Sequence, residues 1–274
     1  MQRIGITRKE LARDLRRLGL ASGDCVFVHS SLSQLGLVEG GPDAVIDALL
    51  EVVGPTGTVT MPAFSFRSSM LEHLQSGATF DVRDSPSQSG AITETFRRRH
   101  GVRRSLHPTH SVSASGSSAE FLTSGHEQSI TPFGAGTPLA KLLDLDAKIV
   151  CLGVRIAYVT WYHCFEDLVA SYPLSVYLPE VFSAQAVDYD GRVHAVSTRC
   201  HDPAISAVRI EKSPSRLRLF EARLASLGAL DSGTVGAGAA YVLQVRKLQA
   251  AMAQLVSEGI TIYEIELPER RSGG

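Results

Sequence analysis

The pattern that most constrains the fold of this chain lies between residues 25 and 64. The apolar runs CVFVHSS and GTVTMPAF are short, are bounded by turn residues and are typical of buried strands. The segment PDAVIDALLEVVG between them is typical of a helix with Pro42 in its first turn and Gly54 at its end. A strand–loop–helix–strand unit predicts an α/β sheet whose functional site lies at the carboxyl ends of its strands.

The remainder of the chain continues this alternation. Thr7 and Glu10 match a capping box and predict a helix over residues 7–20, and the dipeptide Asp190-Gly191 predicts a hairpin turn. Further helices are expected over AITETFRRRHG, LAKLLDLD, SRLRLFEARLASLGAL and YVLQVRKLQAAMAQLVSEG, and further strands over HPTHSVSASG and KIVCLGV.

No internal repeat and no low-complexity linker interrupts the sequence. We therefore predict a single α/β domain over residues 1–274, with a mixed central sheet flanked by helices. The segment around 65–90 is rich in loop-forming residues and is expected to be an insertion. The region around 171–210 is rich in strand patterns that prolines interrupt.

Composition excludes several classes of function. Hydrophobic residues make up 44% of the 274 residues, charged residues 20%, and the net charge is −1. This balance is typical of an ordinary globular protein and offers no basic patch for a nucleic acid. Neither an apolar segment of membrane-spanning length nor a secretory leader is evident, so we expect a cytoplasmic protein without a membrane partner.

Cysteines and histidines give little support for thiol or metal chemistry. The four cysteines are widely separated, with no C-x-x-C pair, and disulfides are not expected. Cys164 neighbours His163, but adjacent helical residues point about 100° apart, so the imidazole is poorly placed to activate the thiol. No H-x-x-x-H or H-E-x-x-H pattern occurs among the nine histidines, and we predict no metal site.

The segment VTWYHCFED contains the most informative set of polar residues. On a helix, Thr160, His163 and Glu166 fall within a sector of roughly 120° and can reach one wall of a pocket. A carboxylate one turn from an imidazole can accept the Nδ1 proton and leave Nε2 free to act as a general base. The alternative is an ordinary ion pair on a partly exposed helical turn.

Five separate stretches resemble the aminoglycoside 3-N-acetyltransferase family, also called the antibiotic N-acetyltransferase family. They occur in the family's order and cover roughly residues 7–170, with a weaker similarity in the C-terminal helices. The resemblance implies an α/β fold distinct from that of the smaller acetyltransferases, acetyl-CoA as the donor and an amine as the acceptor. The stretches are VFVHSSLSQLGLVEGGPDAVIDALLEVVGPTGTVTMPAFS, FDVRDSPSQSGAITETFR, RRSLHPTHSVSASG, TPFGAGTPLAKLL and VTWYHCFED.

The resemblance also implies where the coenzyme binds. The loop after the first strand carries free N–H groups and hydroxyls that suit a pyrophosphate or an amide-rich arm. An ordinary serine-rich connection is the alternative interpretation of this loop, and a solvated basic turn is the alternative for Arg103 and Arg104. The expected coenzyme-binding residues are His29, Ser30, Ser31, Leu32, Ser33, Gly36, Val38, Arg104, Ser105, His107, His110 and Ser111.

By the same resemblance, the acceptor amine attacks the thioester directly while His163 removes its proton, Glu166 orients the imidazole and Thr160 stabilises the oxyanion. Glu166 has a second possible role, which is to bind the acceptor ammonium. A nucleophilic Ser111 is disfavoured because the sequence lacks a G-x-S-x-G elbow. The expected acceptor-side residues, near the strand-rich region, are Phe64, Asp81, Trp161 and Asp167.

The nature of the acceptor stays open. An aminoglycoside is a polycation and favours an acidic cleft, whereas this chain has 28 acidic and 27 basic residues, with basic segments at 95–104 and 209–223. An aminoglycoside-type amine is the first expectation. A biosynthetic amine such as a nucleotide-linked amino sugar, possibly taking a longer acyl group, is the alternative. A non-catalytic coenzyme-binding protein and a Ser111 or Cys164 hydrolase are weaker alternatives, and the protein is expected to be a monomer or a homodimer.

Overall fold

A computed structural model describes residues 5–170 and 172–265 of the chain. The helices are α1 (Arg8–Arg17), α2 (Gly41–Val53), α3 (Met70–Gln75), α4 (Ala91–Arg97), α5 (Ala119–Thr123), α6 (Pro138–Asp144), α7 (Trp161–Leu168), α8 (Pro203–Ser206), α9 (Pro214–Ser226) and α10 (Val245–Ser257). The strands are β1 (Cys25–Ser30), β2 (Thr58–Pro62), β3 (Phe80–Asp81), β4 (Arg103–Arg104), β5 (Val112–Gly116), β6 (Lys148–Leu152), β7 (Tyr177–Val187), β8 (Val193–His201), β9 (Asp231–Val235) and β10 (Gly238–Gln244).

Seven strands form the central sheet in the order β4-β5-β2-β1-β6-β10-β9. The three middle strands β2, β1 and β6 are parallel, and the strands on either side of them pair antiparallel. The predicted α/β fold with a mixed central sheet flanked by helices is therefore confirmed. The limits of the domain at residues 1 and 274 stay a prediction.

Strand β1 lies in the middle of the central sheet, and its side chains pack against the helices on both faces of that sheet. Its side chains alternate, so that Val26 and Val28 pack with α1, α2 and α4, whereas Phe27 packs with α6, α7, α9 and α10 on the opposite side. The chain that leaves β1 continues to α2 on the first face, and the chain that leaves β6 continues to α7 on the second. A crevice therefore opens between the carboxyl ends of β1 and β6, which is where parallel α/β sheets bind their ligands.

A second, three-stranded sheet has the order β3-β7-β8. Strands β7 and β8 form a hairpin whose turn spans Asp188–Arg192, in agreement with the turn predicted at Asp190-Gly191. A small apolar cluster of Phe80, Val82, Ala186 and Val196 supports this sheet. The sheet matters for function because β8 ends at His201, which it brings next to the start of α7.

The sequence predictions for α1 and α10 had different outcomes. Thr7 and Glu10 form the predicted capping box, and α1 follows directly. The helix predicted over YVLQVRKLQAAMAQLVSEG was wrong at its beginning, because Tyr241–Gln244 lie in β10 and pair with β6, and the helix begins only at Val245. Among the residues that the structure describes, no helix is long and apolar enough to cross a membrane.

Candidate active site

The His163–Glu166 pair lies on α7. Nδ1 of His163 is 2.9 Å from Oε2 of Glu166, one helical turn further along the same face. Their side chains are buried, with 5% and 0% of their surface exposed. The structure therefore brings together the imidazole and the carboxylate that the sequence spacing predicted on one face.

Arg209 determines which nitrogen of His163 carries the proton. Nη1 of Arg209 lies 3.2 Å from Nε2 of the imidazole. A guanidinium can only donate hydrogen bonds, so Nε2 is the acceptor and the proton is on Nδ1, where Glu166 accepts it. This tautomer leaves the basic lone pair on Nε2, the atom that a general base needs.

The protonation equilibria of the pair follow from burial. Burial and the neighbouring Arg209 guanidinium hold the pKa of His163 well below its usual value. Burial raises the pKa of Glu166, while His201, Tyr263 and Arg209 act in the opposite direction. The imidazole is therefore neutral at physiological pH and can accept a proton.

Thr160 and His29 connect α7 to the end of β1. The backbone N–H of Thr160 donates to Nε2 of His29 across 3.4 Å. Burial lowers the pKa of His29 to about 4, so the ring is neutral and its Nε2 can accept this bond. The Thr160 side chain forms no capping hydrogen bond, although the residue precedes the helix.

A cavity of about 740 Å³ opens at the carboxyl end of β1. Ser30 contributes a buried Oγ that has no hydrogen-bond partner among the described residues, and Gly41 begins α2 directly after a left-handed Gly40. Hydroxyls and the amides of a helix N-terminus therefore converge on this cavity, as a phosphate-bearing ligand requires. The lining residues are Ser30, Ser31, Leu32, Ser33, Gly36, Leu37, Val38, Gly41, Gln88, Ser89, Gly90 and Ala91.

Six of the residues expected to bind the coenzyme line this cavity, namely Ser30, Ser31, Leu32, Ser33, Gly36 and Val38. Sequence analysis did not assign Leu37, Gly41 or the segment 88–91 to the site. The Gly-Gly-Pro start of the helix and the S-Q-S-G run before α4 are signals from which these residues could have been found.

The remaining coenzyme candidates lie elsewhere. Arg104 is 4% exposed, stacks over the Phe80 ring and donates to Ser111 Oγ at 3.1 Å, and it also donates to the carbonyls of Ser85 and Ala63. Its donors are therefore used inside the protein, and we correct the expectation that Arg104 faces a coenzyme phosphate.

Ser105, His107 and Ser111 are fully buried beside Arg104. Ser111 Oγ donates to the Ser105 carbonyl, and Ser105 Oγ pairs with His126 Nδ1 at 2.8 Å. None of these three residues lines either of the two cavities described here. Nε2 of His107 has no hydrogen-bond partner among the described residues.

A second cavity, of about 380 Å³, lies in front of His163. His110 lines it, together with three residues that the sequence analysis missed: His201, Arg209 and Lys212. The His201 ring centroid lies 4.4 Å from that of His163. The lining residues are Phe66, Ser68, Ser69, Met70, Leu71, His110, His163, His201, Pro203, Ser206, Ala207, Arg209 and Lys212.

A third hollow lies between the two cavities. It shares Gln88, Gly90 and Ala91 with the larger cavity and Phe66 with the cavity at His163. The three cavities therefore lie side by side between the β1 loop and the imidazole.

The four residues predicted to bind the acceptor lie in different parts of the structure. Phe64 packs against His110 with the ring centroids 4.6 Å apart, which puts it behind the wall of the second cavity. Trp161 is buried and donates to the Leu139 carbonyl, and Asp167 accepts a hydrogen bond from Tyr177. Asp81 accepts from the backbone N–H groups of its own turn. These last three side chains line neither cavity, and the polar atoms named here are bonded within the protein.

One group of described residues has the donor set for a metal ion. Ligand atoms of His163, Glu166 and His201 all lie within 4.8 Å of one another. Nδ1 of His163 carries the proton that Glu166 accepts, so a cation would have to displace this hydrogen bond.

Known proteins resemble this chain over most of its length. The family described as aminoglycoside 3-N-acetyltransferase matches residues 27–257. The chain is 32% identical to aminoglycoside N(3)-acetyltransferase VII of Streptomyces paromomycinus, over 98% of this chain and 95% of that protein.

Two solved structures extend the comparison. The structure of AAC-IIIb in a binary complex with CoASH has a TM-score of 0.77 and 25% identity, and the match covers 96% of this chain and 100% of that one. The structure of AAC-VIa bound to sisomicin has a TM-score of 0.78 and 27% identity, over 93% and 98% of the two chains.

Proposed function

The chain belongs to the aminoglycoside 3-N-acetyltransferase family, and from this premise we propose how it acts and which residues carry the reaction. The protein is an N-acetyltransferase whose acetyl donor is acetyl-CoA. Our proposal is that it transfers the acetyl group to a primary amine of an amino-sugar or aminocyclitol acceptor of aminoglycoside type, by direct attack, with His163 as the general base.

One observation carries this proposal. The imidazole of His163 has its proton on Nδ1, held by Glu166 at 2.9 Å, and its lone pair on Nε2 at the wall of a cavity. A neutral, oriented imidazole beside a cavity can act as a general base and remove a proton from an attacking amine. Relatives with CoASH and with sisomicin bound support the assignment of donor and acceptor.

The larger cavity suits the coenzyme. Its hydroxyls, including the unpartnered Ser30 Oγ, and the amides at the start of α2 provide donors for the pyrophosphate and pantetheine amides. The hollow lined by Phe66 and Gln88 lies between that cavity and the cavity at His163, and we assign the pantetheine arm of the donor to it. In this arrangement the thioester meets the acceptor amine in front of the imidazole.

The proposed transfer conserves protons and electrons. The acceptor nitrogen forms a bond to the thioester carbonyl carbon, and Nε2 of His163 takes one proton from that nitrogen. Thr160 stabilises the negative charge that develops on the carbonyl oxygen. The carbon–sulfur bond then breaks, the sulfur leaves with its electron pair, and the imidazolium returns the proton to it. A positioned base contributes about 10²–10⁴-fold, so positioning and oxyanion stabilisation must supply the remainder.

Glu166 orients the base in this scheme. Its side chain is 0% exposed and lies behind the imidazole, away from the cavity in which an acceptor would bind. An acceptor ammonium therefore has no direct path to it. We assign Glu166 to fixing the tautomer of His163 and to stabilising the imidazolium, and not to binding the acceptor.

Release of free thiol from acetyl-CoA tests the proposal. We expect release to depend on added acceptor across a panel of aminoglycosides, simple amino sugars and nucleotide-linked amino sugars, with one acetyl group gained by the acceptor in mass spectrometry. Thiol release without an acetylated product would indicate a hydrolase. No release with any amine would refute the proposed function.

A further inference from the structure

The cavity in front of His163 has an unusual charge for a site that receives amines. Arg209 and Lys212 line it, and no acidic residue does among the described residues. Its three histidines are held neutral, because burial lowers the pKa of His110, His163 and His201. A cationic wall attracts anions and repels a polycation.

Arg209 lies at the centre of this wall. Its Nη1 donates to Nε2 of His163 at 3.2 Å, and its Nη2 donates to the Ala157 carbonyl at 3.0 Å. Glu211 pairs with the Nε side of the guanidinium at 3.0 Å. The guanidinium therefore has a carboxylate at its Nε edge, whereas its Nη atoms contact only uncharged groups, the Ala157 carbonyl and the His163 imidazole.

This contact conflicts with catalysis unless something replaces it. The lone pair of Nε2 must be free to take a proton from the acceptor, so the Nη1 donor has to withdraw. Once protonated, the imidazolium and the guanidinium repel each other, and a polycationic acceptor would add to that repulsion. An anion that pairs with Arg209 would supply a new partner for Nη1 and neutralise the excess positive charge.

Lys212 extends the same surface. It lies one turn after Arg209, is exposed, and forms no ion pair with any residue that the structure describes. An arginine fork next to a lysine is a common arrangement for binding a phosphate, whose several oxygens accept from both.

We propose that Arg209 and Lys212 form an anion subsite, and that the acceptor is an amino sugar or aminocyclitol carrying a phosphate or another anionic group besides its reactive amine. This inference rests on the proposed function, and it specifies the acceptor class of the same site. Docking of the anionic group on Arg209 draws the guanidinium away from Nε2 of His163 and so exposes the base only when this acceptor is bound.

Matched acceptors test the subsite. Glucosamine is compared with glucosamine 6-phosphate, and kanamycin with kanamycin 3′-phosphate, using acetyl-CoA and following thiol release. We expect kcat/KM to be at least about tenfold higher for the phosphorylated member of a pair, the effect of one good charged contact. We expect this preference to fall to about one in Arg209→Gln and to shrink in the surface variant Lys212→Gln. Lys9→Gln, which removes an equal charge from the exposed face of α1, should leave the preference unchanged.

The remaining outcomes separate this inference from the proposed function. Turnover of both members of each pair at equal rates would overturn the subsite and leave the proposed function standing. Faster transfer of succinyl than of acetyl groups to unphosphorylated glucosamine would place the anion on the donor and also overturn it.

If no amine is acetylated, the proposed function fails. Calorimetric measurement of sugar binding then tests whether the anion subsite exists. We then expect glucosamine 6-phosphate to bind the coenzyme A complex more tightly than glucosamine, in wild type and not in Arg209→Gln. Equal binding of the two sugars would refute the subsite.

Discussion

Nδ1 of His163 and Oε2 of Glu166 are 2.9 Å apart across one turn of α7, and 5% of the His163 side chain and 0% of the Glu166 side chain is exposed. The bond requires a protonated Nδ1, and Arg209 at Nε2 requires the same tautomer from the other side. Two independent contacts therefore place the lone pair of the base on Nε2.

Replacing the carboxylate should disable the base without removing the coenzyme site. In Glu166→Gln, the amide can turn its NH2 group to Nδ1 and favour the tautomer whose Nε2 carries the proton, which cannot accept another. We expect kcat to fall about 10²–10⁴-fold, with KM for acetyl-CoA little changed. Steady-state kinetics measures both. A variant with more than half of the wild-type kcat would show that Glu166 does not set the tautomer.

Filling the larger cavity should weaken the binding of the coenzyme and leave the chemical step unchanged. Ala91 is exposed on the wall of that cavity, at the start of α4, so Ala91→Leu places three further carbons in the space proposed for the donor. We expect KM for acetyl-CoA to rise about tenfold, equivalent to about 1.4 kcal/mol. Ala253→Leu, at an exposed position of α10, is the matched control. Equal KM values in the two variants would place the coenzyme elsewhere.

Covalent catalysis through a thiol or a hydroxyl should be absent. Burial holds the pKa of Cys164 well above its usual value, and Ser111 Oγ contacts the Ser105 carbonyl and Arg104, not a histidine. We expect iodoacetamide at pH 7.5 to leave activity intact, and rapid quenching to yield no acetylated protein. Inactivation that acetyl-CoA prevents, or a mass increase of one acetyl group on the chain, would contradict direct transfer.

Buried histidines should make the fold sensitive to acid. Burial lowers the pKa of His29 to about 4 and of His126 and His201 to about 3, and it also lowers the pKa of His107, His110 and His163. Below the unfolded value of 6.5, the unfolded chain binds more protons at these six rings than the native protein does, so stability falls as the pH falls towards 4.

Two carboxyl groups oppose this loss. Burial raises the pKa of Glu166 and, to about 6, that of Asp167, so the native protein binds extra protons at these residues just below neutral pH. Six imidazoles outweigh two carboxyls. We expect the free energy of unfolding in urea to decrease by at least about 1.4 kcal/mol per pH unit between pH 6 and 4.5. A constant or increasing value over that range would contradict the neutral state of these rings.

Local signals explain which parts of the fold could be predicted from the sequence. The capping box at Thr7 and Glu10 and the glycine at the end of α2 act within one helical turn, and the structure shows both. The pairing of His163 with Glu166 is likewise local, because a spacing of three residues on a helix is enough to bring them together. Tyr241–Gln244 were assigned to the wrong element because pairing with β6, nearly a hundred residues earlier in the chain, decides their conformation.

The rest of the site depends on long-range packing that no local pattern encodes. Arg209 reaches His163 from 46 residues away in sequence, and His201 arrives at the end of a hairpin. Arg104 was predicted to bind the coenzyme, because the basic turn in the sequence gives no sign that its guanidinium would be buried over Phe80. Arg209, which places a positive charge beside the base in the cavity in front of His163, therefore became visible only in the folded protein.

Thiol release from acetyl-CoA by His163→Ala is the sharpest test of the proposed base, with the affinity for coenzyme A and the far-UV circular dichroism recorded on the same preparation. We expect kcat to fall by about 10²–10⁴-fold while coenzyme binding and secondary structure match wild type, because the base is lost and the donor cavity is intact. Turnover close to wild type in a folded, coenzyme-binding His163→Ala protein would show that this imidazole is not the base.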